Sequence, residues 1–240
     1  MAPRSIRIMK DTSHITTREQ NRFFVLLECF SLFIGVPALL CIHPPLPILP
    51  ILWVFAFWCR WKLMRDPDFD RTNLWRVDAM KSVPALMVIR FILCVIILYC
   101  LLLSLAPDLL FCLVKEKPVL WFAIIILYPL LSVYPQELIY RTYFFHRYQF
   151  LFHKKWTLIT VNALLFGYMH IIFHNWIAVS LTVIGGFLFA LTYNRSRSTL
   201  LVSLEHSLFG CLIFTLGLGK FFYIGGMSTI PQSLRFMSGT

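Results

Sequence analysis

The run PVLWFAIIILYPLLSVYPQELIYR, Pro118–Arg141, decides how this chain folds. It is apolar for long enough to cross a bilayer, whose ~30 Å core needs ~20 helical residues. Near its end Glu137 and Arg141 stand four residues apart, so they share one face of a helix. Taken alone, that pair reads as a helix-end salt bridge at the membrane surface. Two further features point deeper. Pro129 and Pro135 lie in the same run, and each lacks an N–H and frees a carbonyl one turn back. Gln136 stands directly beside Glu137. A helix with this much unsatisfied polarity is expected to border a wet cavity rather than lipid.

The rest of the chain belongs with such a run. Of its 240 residues 59% are hydrophobic and 14% charged, where a soluble domain carries about 25% charged residues. So much apolar surface needs lipid as its solvent. One domain is expected, without long linkers or repeats. The seven Cys form no CxxC pair and lie mostly in apolar runs, as small buried hydrophobes rather than a disulfide frame. The net charge is +11. The basic residues flank apolar runs instead of forming a stripe on a soluble face, so membrane lipids, not nucleic acid, are the expected partner.

Hydropathy predicts an all-α, polytopic membrane bundle of about seven helices: Phe23–Ile42, Leu46–Met64, Val83–Ala106, Pro118–Tyr140, Trp156–Phe173, Trp176–Tyr193 and Thr199–Leu218. The second is the weakest, with Pro47 and Pro50 at its start and Arg60 and Lys62 to snorkel at its end. The fifth and sixth meet in a tight turn at His174 and Asn175. Around the bundle, 23–224, are a basic cytoplasmic segment, 1–22, and a short outer tail, 225–240, expected to be poorly ordered. No cleavable signal peptide is evident. Seventeen of the 22 Lys and Arg fall in 1–22, 60–82, 141–155 and 194–198; Lys115, Lys117, Lys220 and Arg235 fall on the other side, and Arg90 within a span. The positive-inside rule then puts the N-terminus in the cytoplasm and the C-terminus outside. The cell envelope that fits best is a bacterial inner membrane.

Ionisable side chains within spans are costly and each needs a reason. Glu28 and Arg90 are expected to pair across helices as a structural feature. The remaining groups cluster on three spans. Glu137, Arg141 and Gln136 lie on the fourth. FGYMH ends in His170 on the fifth, with His174 one turn on; HExxH is absent. LEHSLFG on the seventh holds Glu205 and His206, with Gly210 one turn beyond His206. A carboxylate and two imidazoles on three helices make a hydrolytic constellation, able to deprotonate water, polarise a carbonyl or donate a proton. The same three residues equal a His₂Glu ligand set, so if a metal is bound, zinc on Glu137, His170 and His206 is the candidate; the sequence does not decide whether one takes part.

The order of these motifs resembles the family of CAAX prenyl endopeptidases and bacteriocin-processing membrane proteases, marked by EExxxR, FxxxH and HxxxN or HxxxD on successive membrane helices. Here they read QELIYR at 136–141, FGYMH at 166–170 and HSLFG at 206–210, and the resemblance covers roughly 118–218. The PQE and HxxxG forms are similar to a bacterial branch. The resemblance implies an intramembrane endopeptidase acting on a membrane-associated peptide or protein. It implies that Glu137 activates water, that His170 and His206 assist or line an oxyanion site, and that Arg141 positions the carboxylate. Supporting roles fall to Gln136, Glu205, Gly210, His174 and Asn175. Two departures bear on activity. Gln136 replaces the motif's first glutamate, and an amide takes no proton at neutral pH. Gly210 replaces a side-chain donor. A catalytically silent relative that binds a membrane partner is therefore the second reading, and a small proton-coupled transporter the third. The oligomeric state is not legible.

Depth sets a further condition. At 1.5 Å per residue, Glu137, His206 and His170 would lie about 6, 10 and 20 Å from the inner boundary. For them to meet, the fourth span should not end at Arg141: the aromatic TYFFHRYQFLF that follows either continues the helix or lies in the interface before His153, Lys154 and Lys155.

Overall fold

The computed structural model describes residues 22–42, 47–78 and 84–223. The tail and all but Arg22 of the basic N-terminal segment lie outside them. Among the described residues the chain is helical with no strand. Seven long helices form: α1 (Arg22–Ile42), α2 (Ile48–Arg65), α3 (Pro84–Leu105), α4 (Pro118–Leu151), α5 (Lys155–Phe173), α6 (Trp176–Ser196) and α7 (Thr199–Leu216). All but α2 are long and apolar enough to cross a membrane. The protein is an integral membrane helical bundle.

α2 departs from that pattern because Arg60, Lys62 and Arg65 crowd its last two turns. It still runs the thickness of the bundle, about 27 Å at 1.5 Å per residue. Its Trp53 touches α4 at Leu131, its Trp58 packs on Tyr143, and Asp66 just beyond its end meets His146. Pro50 sits in its first turn, where a missing N–H costs nothing.

The fourth helix ends at Leu151, not at Tyr140. It is continuous for 34 residues because two π-helical turns, Pro129–Val133 and Leu138–Tyr143, absorb the disturbance of its prolines. Pro135 offers no N–H to Leu131, and the freed Leu131 carbonyl accepts from the Trp53 indole at 3.0 Å. The second half of α4 is enclosed by the other helices: Tyr140, Tyr143, Phe144, Phe145 and Tyr148 are all buried. Phe33 of α1 is buried among the rings of Phe55, Tyr140, Phe144 and Tyr148. The pairs with Tyr140, Phe144 and Tyr148 are edge-to-face, each worth about 0.5–1.5 kcal/mol beyond area burial.

Two sets of ties fix the ends. At one end Arg22 donates to the Leu151 carbonyl, Ser198 to that of Arg76, and Thr199 to that of Asn73. At the other, the Phe111 N–H donates to the Leu216 carbonyl and Asn175 to that of Phe221. Successive helices therefore alternate in direction, and the segments 65–78, 147–155 and 196–199 gather at one end.

Glu28 and Arg90 do not pair, contrary to expectation. Glu28 accepts from Arg147, Tyr143 and Tyr148 of α4, at 2.9–3.2 Å. Arg90 faces Thr192 at 3.3 Å and Glu205 at 3.5 Å. The α1–α4 contact brings three polar side chains to Glu28, while Arg90 on α3 faces α6 and α7 instead.

Candidate active site

Glu137 is fully buried, and α4, α5, α6 and α7 meet around it. One carboxylate oxygen lies 2.8 Å from His206 Nδ1. The other lies 3.3 Å from Arg141 Nε, one turn along α4. Arg141 is itself fully buried. It donates through Nη1 to Asn162 Oδ1 at 2.8 Å and through Nη2 to the Gly186 carbonyl at 3.5 Å. Its guanidinium lies 4.7 Å from the centre of the Phe166 ring. Asn162 in turn donates to the Tyr140 carbonyl at 2.6 Å, inside the second π turn. The motif glutamate thus faces an arginine that two other helices, α5 and α6, hold in place. The two form a buried ion pair in which Glu137 Oε2 and Arg141 Nε have no hydrogen-bond partner, while Glu137 Oε1 and the Arg141 Nη atoms are hydrogen-bonded to other residues.

His206 stacks on Phe189, with ring centres 4.5 Å apart. Its Nε2 lies 3.1 Å from the Tyr128 hydroxyl. The Tyr128 ring also explains Gly210: a Cβ there would overlap the Tyr128 ring and hydroxyl. The position one turn after His206 must be glycine for the Tyr128 hydroxyl to reach the imidazole.

His170 begins the last, 3-10 turn of α5 and is 9% exposed. Its Nδ1 lies 2.8 Å from the Phe166 carbonyl. A carbonyl only accepts, so Nδ1 carries the proton and Nε2 of the neutral ring is left as an acceptor.

These groups line a cavity of about 410 Å³. Tyr128, Ser132, Gln136, His170, His206 and Gly210 provide much of its polar wall and its narrow glycine face, and leucine, isoleucine and phenylalanine side chains make most of the rest. Ile184, Leu120 and Leu131 also line it and are largely exposed on the bundle surface, so the cavity reaches the lipid-facing side. Gln136 faces the cavity and donates to Ser132 Oγ at 2.8 Å. Glu137 does not line it; the carboxylate sits behind His206.

The remaining sequence candidates lie elsewhere. Glu205 points from α7 towards Arg90 and away from the cavity lining, and is fully buried. His174 is exposed in a left-handed conformation at the α5–α6 turn, with Cys41 Sγ 4.0 Å away. Asn175 caps α6 by accepting from the Ala178 N–H. Both are turn residues. Among the described residues no three His, Cys, Asp or Glu side chains form a metal-ligand group. Both Glu137 oxygens are turned to His206 and Arg141 rather than to a point shared with His170, so these three residues do not fit a zinc site as they stand.

The depth condition is met in two ways. α4 continues past Arg141, as required. In addition, the α6–α7 turn is sunk into the bundle: Thr142 and Thr199 share a hydrogen bond of 2.5 Å, and Ser198 and Thr199 are fully buried. α7 therefore starts near the level of Thr142, and His206 and Glu137 rise from there together. Tyr128 and Asn162 were not singled out by sequence. Asn162 carried a signal, as an amide eight residues before His170 in an apolar helix.

Residues 118–212 match the family model described as Rce1-like, type II CAAX prenyl endopeptidase. The match spans all three motifs. No curated protein and no solved structure matches the chain.

Proposed function

We propose that this protein, Rce1-like over residues 118–212, is an active intramembrane endopeptidase that hydrolyses a peptide bond in a membrane-associated peptide or protein. The observation that carries this reading is the hydrogen-bonded pair of Glu137 and His206, set at the wall of a cavity that reaches the lipid side. An apolar cavity with a few convergent polar groups suits a substrate with a greasy segment. Glu137 acts through His206: its carboxylate, 3.3 Å from Arg141, orients the imidazole and stabilises the imidazolium that forms when a proton is taken up. His170 Nε2 accepts a hydrogen bond from the attacking water. Gln136 has no basicity, yet after Ser132 it retains an N–H that faces the cavity, and this polarises the scissile carbonyl.

The basic segments gathered at one end of the bundle support a cytoplasmic N-terminus and an external C-terminus, in a membrane of the bacterial inner type. A second reading, a silent relative that binds peptide, draws on one observation: the group presented to the cavity by the first motif is an amide.

One assay separates the readings. The protein is purified in detergent and given a quenched-fluorescence farnesylated CAAX peptide, with products identified by mass. Wild type is expected to cleave, and His170→Ala and His206→Ala to lose about 10²–10⁴-fold in rate while melting as wild type does. Cleavage by Gln136→Glu but not by wild type would establish the silent relative instead.

A further inference from the structure

Glu137 and His206 leave one problem open. The carboxylate is fully buried and does not reach the cavity, and the imidazole nitrogen on the cavity side is already covered. What covers it is the Tyr128 hydroxyl, 3.1 Å from Nε2. We propose that Tyr128 is a catalytic residue, the last link of a Glu137–His206–Tyr128 proton relay whose phenol oxygen, rather than either partner, takes the proton from water. The proposal rests on the endopeptidase reading and adds the group that touches the reacting water.

The hydrogen-bond directions follow from the chemistry of each group. Glu137 beside Arg141 is a carboxylate and accepts from His206 Nδ1–H at 2.8 Å. Nε2 therefore holds a lone pair, and the Tyr128 O–H donates to it. A hydroxyl with its one proton engaged still has lone pairs, and those of Tyr128 are available in the cavity it lines. As water attacks, one of its O–H bonds breaks and that proton passes to the Tyr128 oxygen. The Tyr128 proton passes to His206 Nε2, and the imidazolium is stabilised by Glu137. The water oxygen bonds to the carbonyl carbon, whose π pair moves to oxygen. On collapse the C–N bond breaks and the proton returns from His206 through Tyr128 to the leaving nitrogen. The products are a carboxylic acid and an amine, and the relay is restored.

The surroundings fix Tyr128 in this place. Its ring packs on Phe214, with centres 5.4 Å apart, and across the His206 ring at 6.1 Å. The room for it is made by Gly210, where any side chain would overlap it. The glycine that breaks the motif and the tyrosine that the motif does not include are thus two halves of one arrangement.

The test compares wild type, Tyr128→Phe, Gly210→Ala and the double variant in the same peptide assay, with kcat also measured across H₂O–D₂O mixtures. Phe keeps the ring and its packing, so the fold is retained. Tyr128→Phe is expected to lower kcat by about 10²-fold with KM changed less than about threefold. Gly210→Ala, which displaces the ring, is expected to lower kcat comparably, and the double variant to fall no further. The wild-type plot of kcat against deuterium fraction is expected to curve, as for two protons in flight, and that of Tyr128→Phe to be straight. If wild type cleaves and Tyr128→Phe keeps its kcat, or if the wild-type plot is already straight, the relay is wrong while the endopeptidase reading survives. If wild type does not cleave, both fall.

Discussion

Arg141 has no path to water, and its charge is sustained by Glu137, Asn162, the Gly186 carbonyl and the face of Phe166. Removing one member of a buried ion pair leaves the other charge uncompensated, at about 3–5 kcal/mol. Arg141→Met should therefore lower the melting temperature in detergent, and adding Glu137→Gln should recover much of the loss. A melting temperature unchanged in the single variant would mean the pair holds nothing together. At this scale the sequence was informative for ionisable side chains. Glu137, Arg141, His170 and His206 stand out because a charge or imidazole in an apolar run is costly. Tyr128 does not stand out, because a tyrosine is at home in a membrane helix; its role depends on Gly210, 82 positions later, and only packing joins them.

At the scale of elements, small residues set how closely helices approach. A Cβ at Gly186 would lie 3.1 Å from the Ala163 backbone, on the α5–α6 contact that also carries Asn162 and the Arg141 acceptor. Gly186→Val should separate α5 from α6 and speed hydrogen exchange in both; exchange like that of wild type would refute this packing. Outside the spans, Asp66 accepts from His146 and from the Asp68 N–H, which together hold its carboxyl below the ordinary range. A carboxyl lowered by folding stabilises the fold above its unfolded pKa, and that contribution is lost as the pH falls through the folded value. For so exposed a group it amounts to under about 1 kcal/mol. Asp66→Asn should flatten that part of the acid loss of stability, and an unchanged acid profile would show that the α2–α4 tie does not matter. The boundaries of α1, α3, α5, α6 and α7 were legible from hydropathy to within about three residues. The end of α4 was not, because its second half faces other helices rather than lipid, and its polar residues are satisfied inside the bundle.

For the whole molecule, the alternation of seven helices puts the described basic loops at one end. A reporter active only outside the cytoplasm, fused at residue 240, should give signal, and one fused in the loop at residue 153 should be silent; the reverse pattern would invert the bundle. The same architecture leads a cavity from the lipid side to the Glu137–His206 pair, which neither a soluble hydrolase nor a simple scaffold requires. Count and alternation were readable from sequence because bilayer thickness and loop charge are properties of stretches. The convergence of α4 and α7 was not, since it depends on the sunken α6–α7 turn. The most direct measurement is the single-turnover rate of peptide cleavage by purified wild type and Glu137→Gln. Gln is isosteric and cannot stabilise an imidazolium as a carboxylate does. Cleavage by wild type with a loss of about 10²–10⁴-fold in the variant, at an unchanged fold, is the predicted result. Equal rates in the two proteins, or no cleavage by wild type, would contradict it.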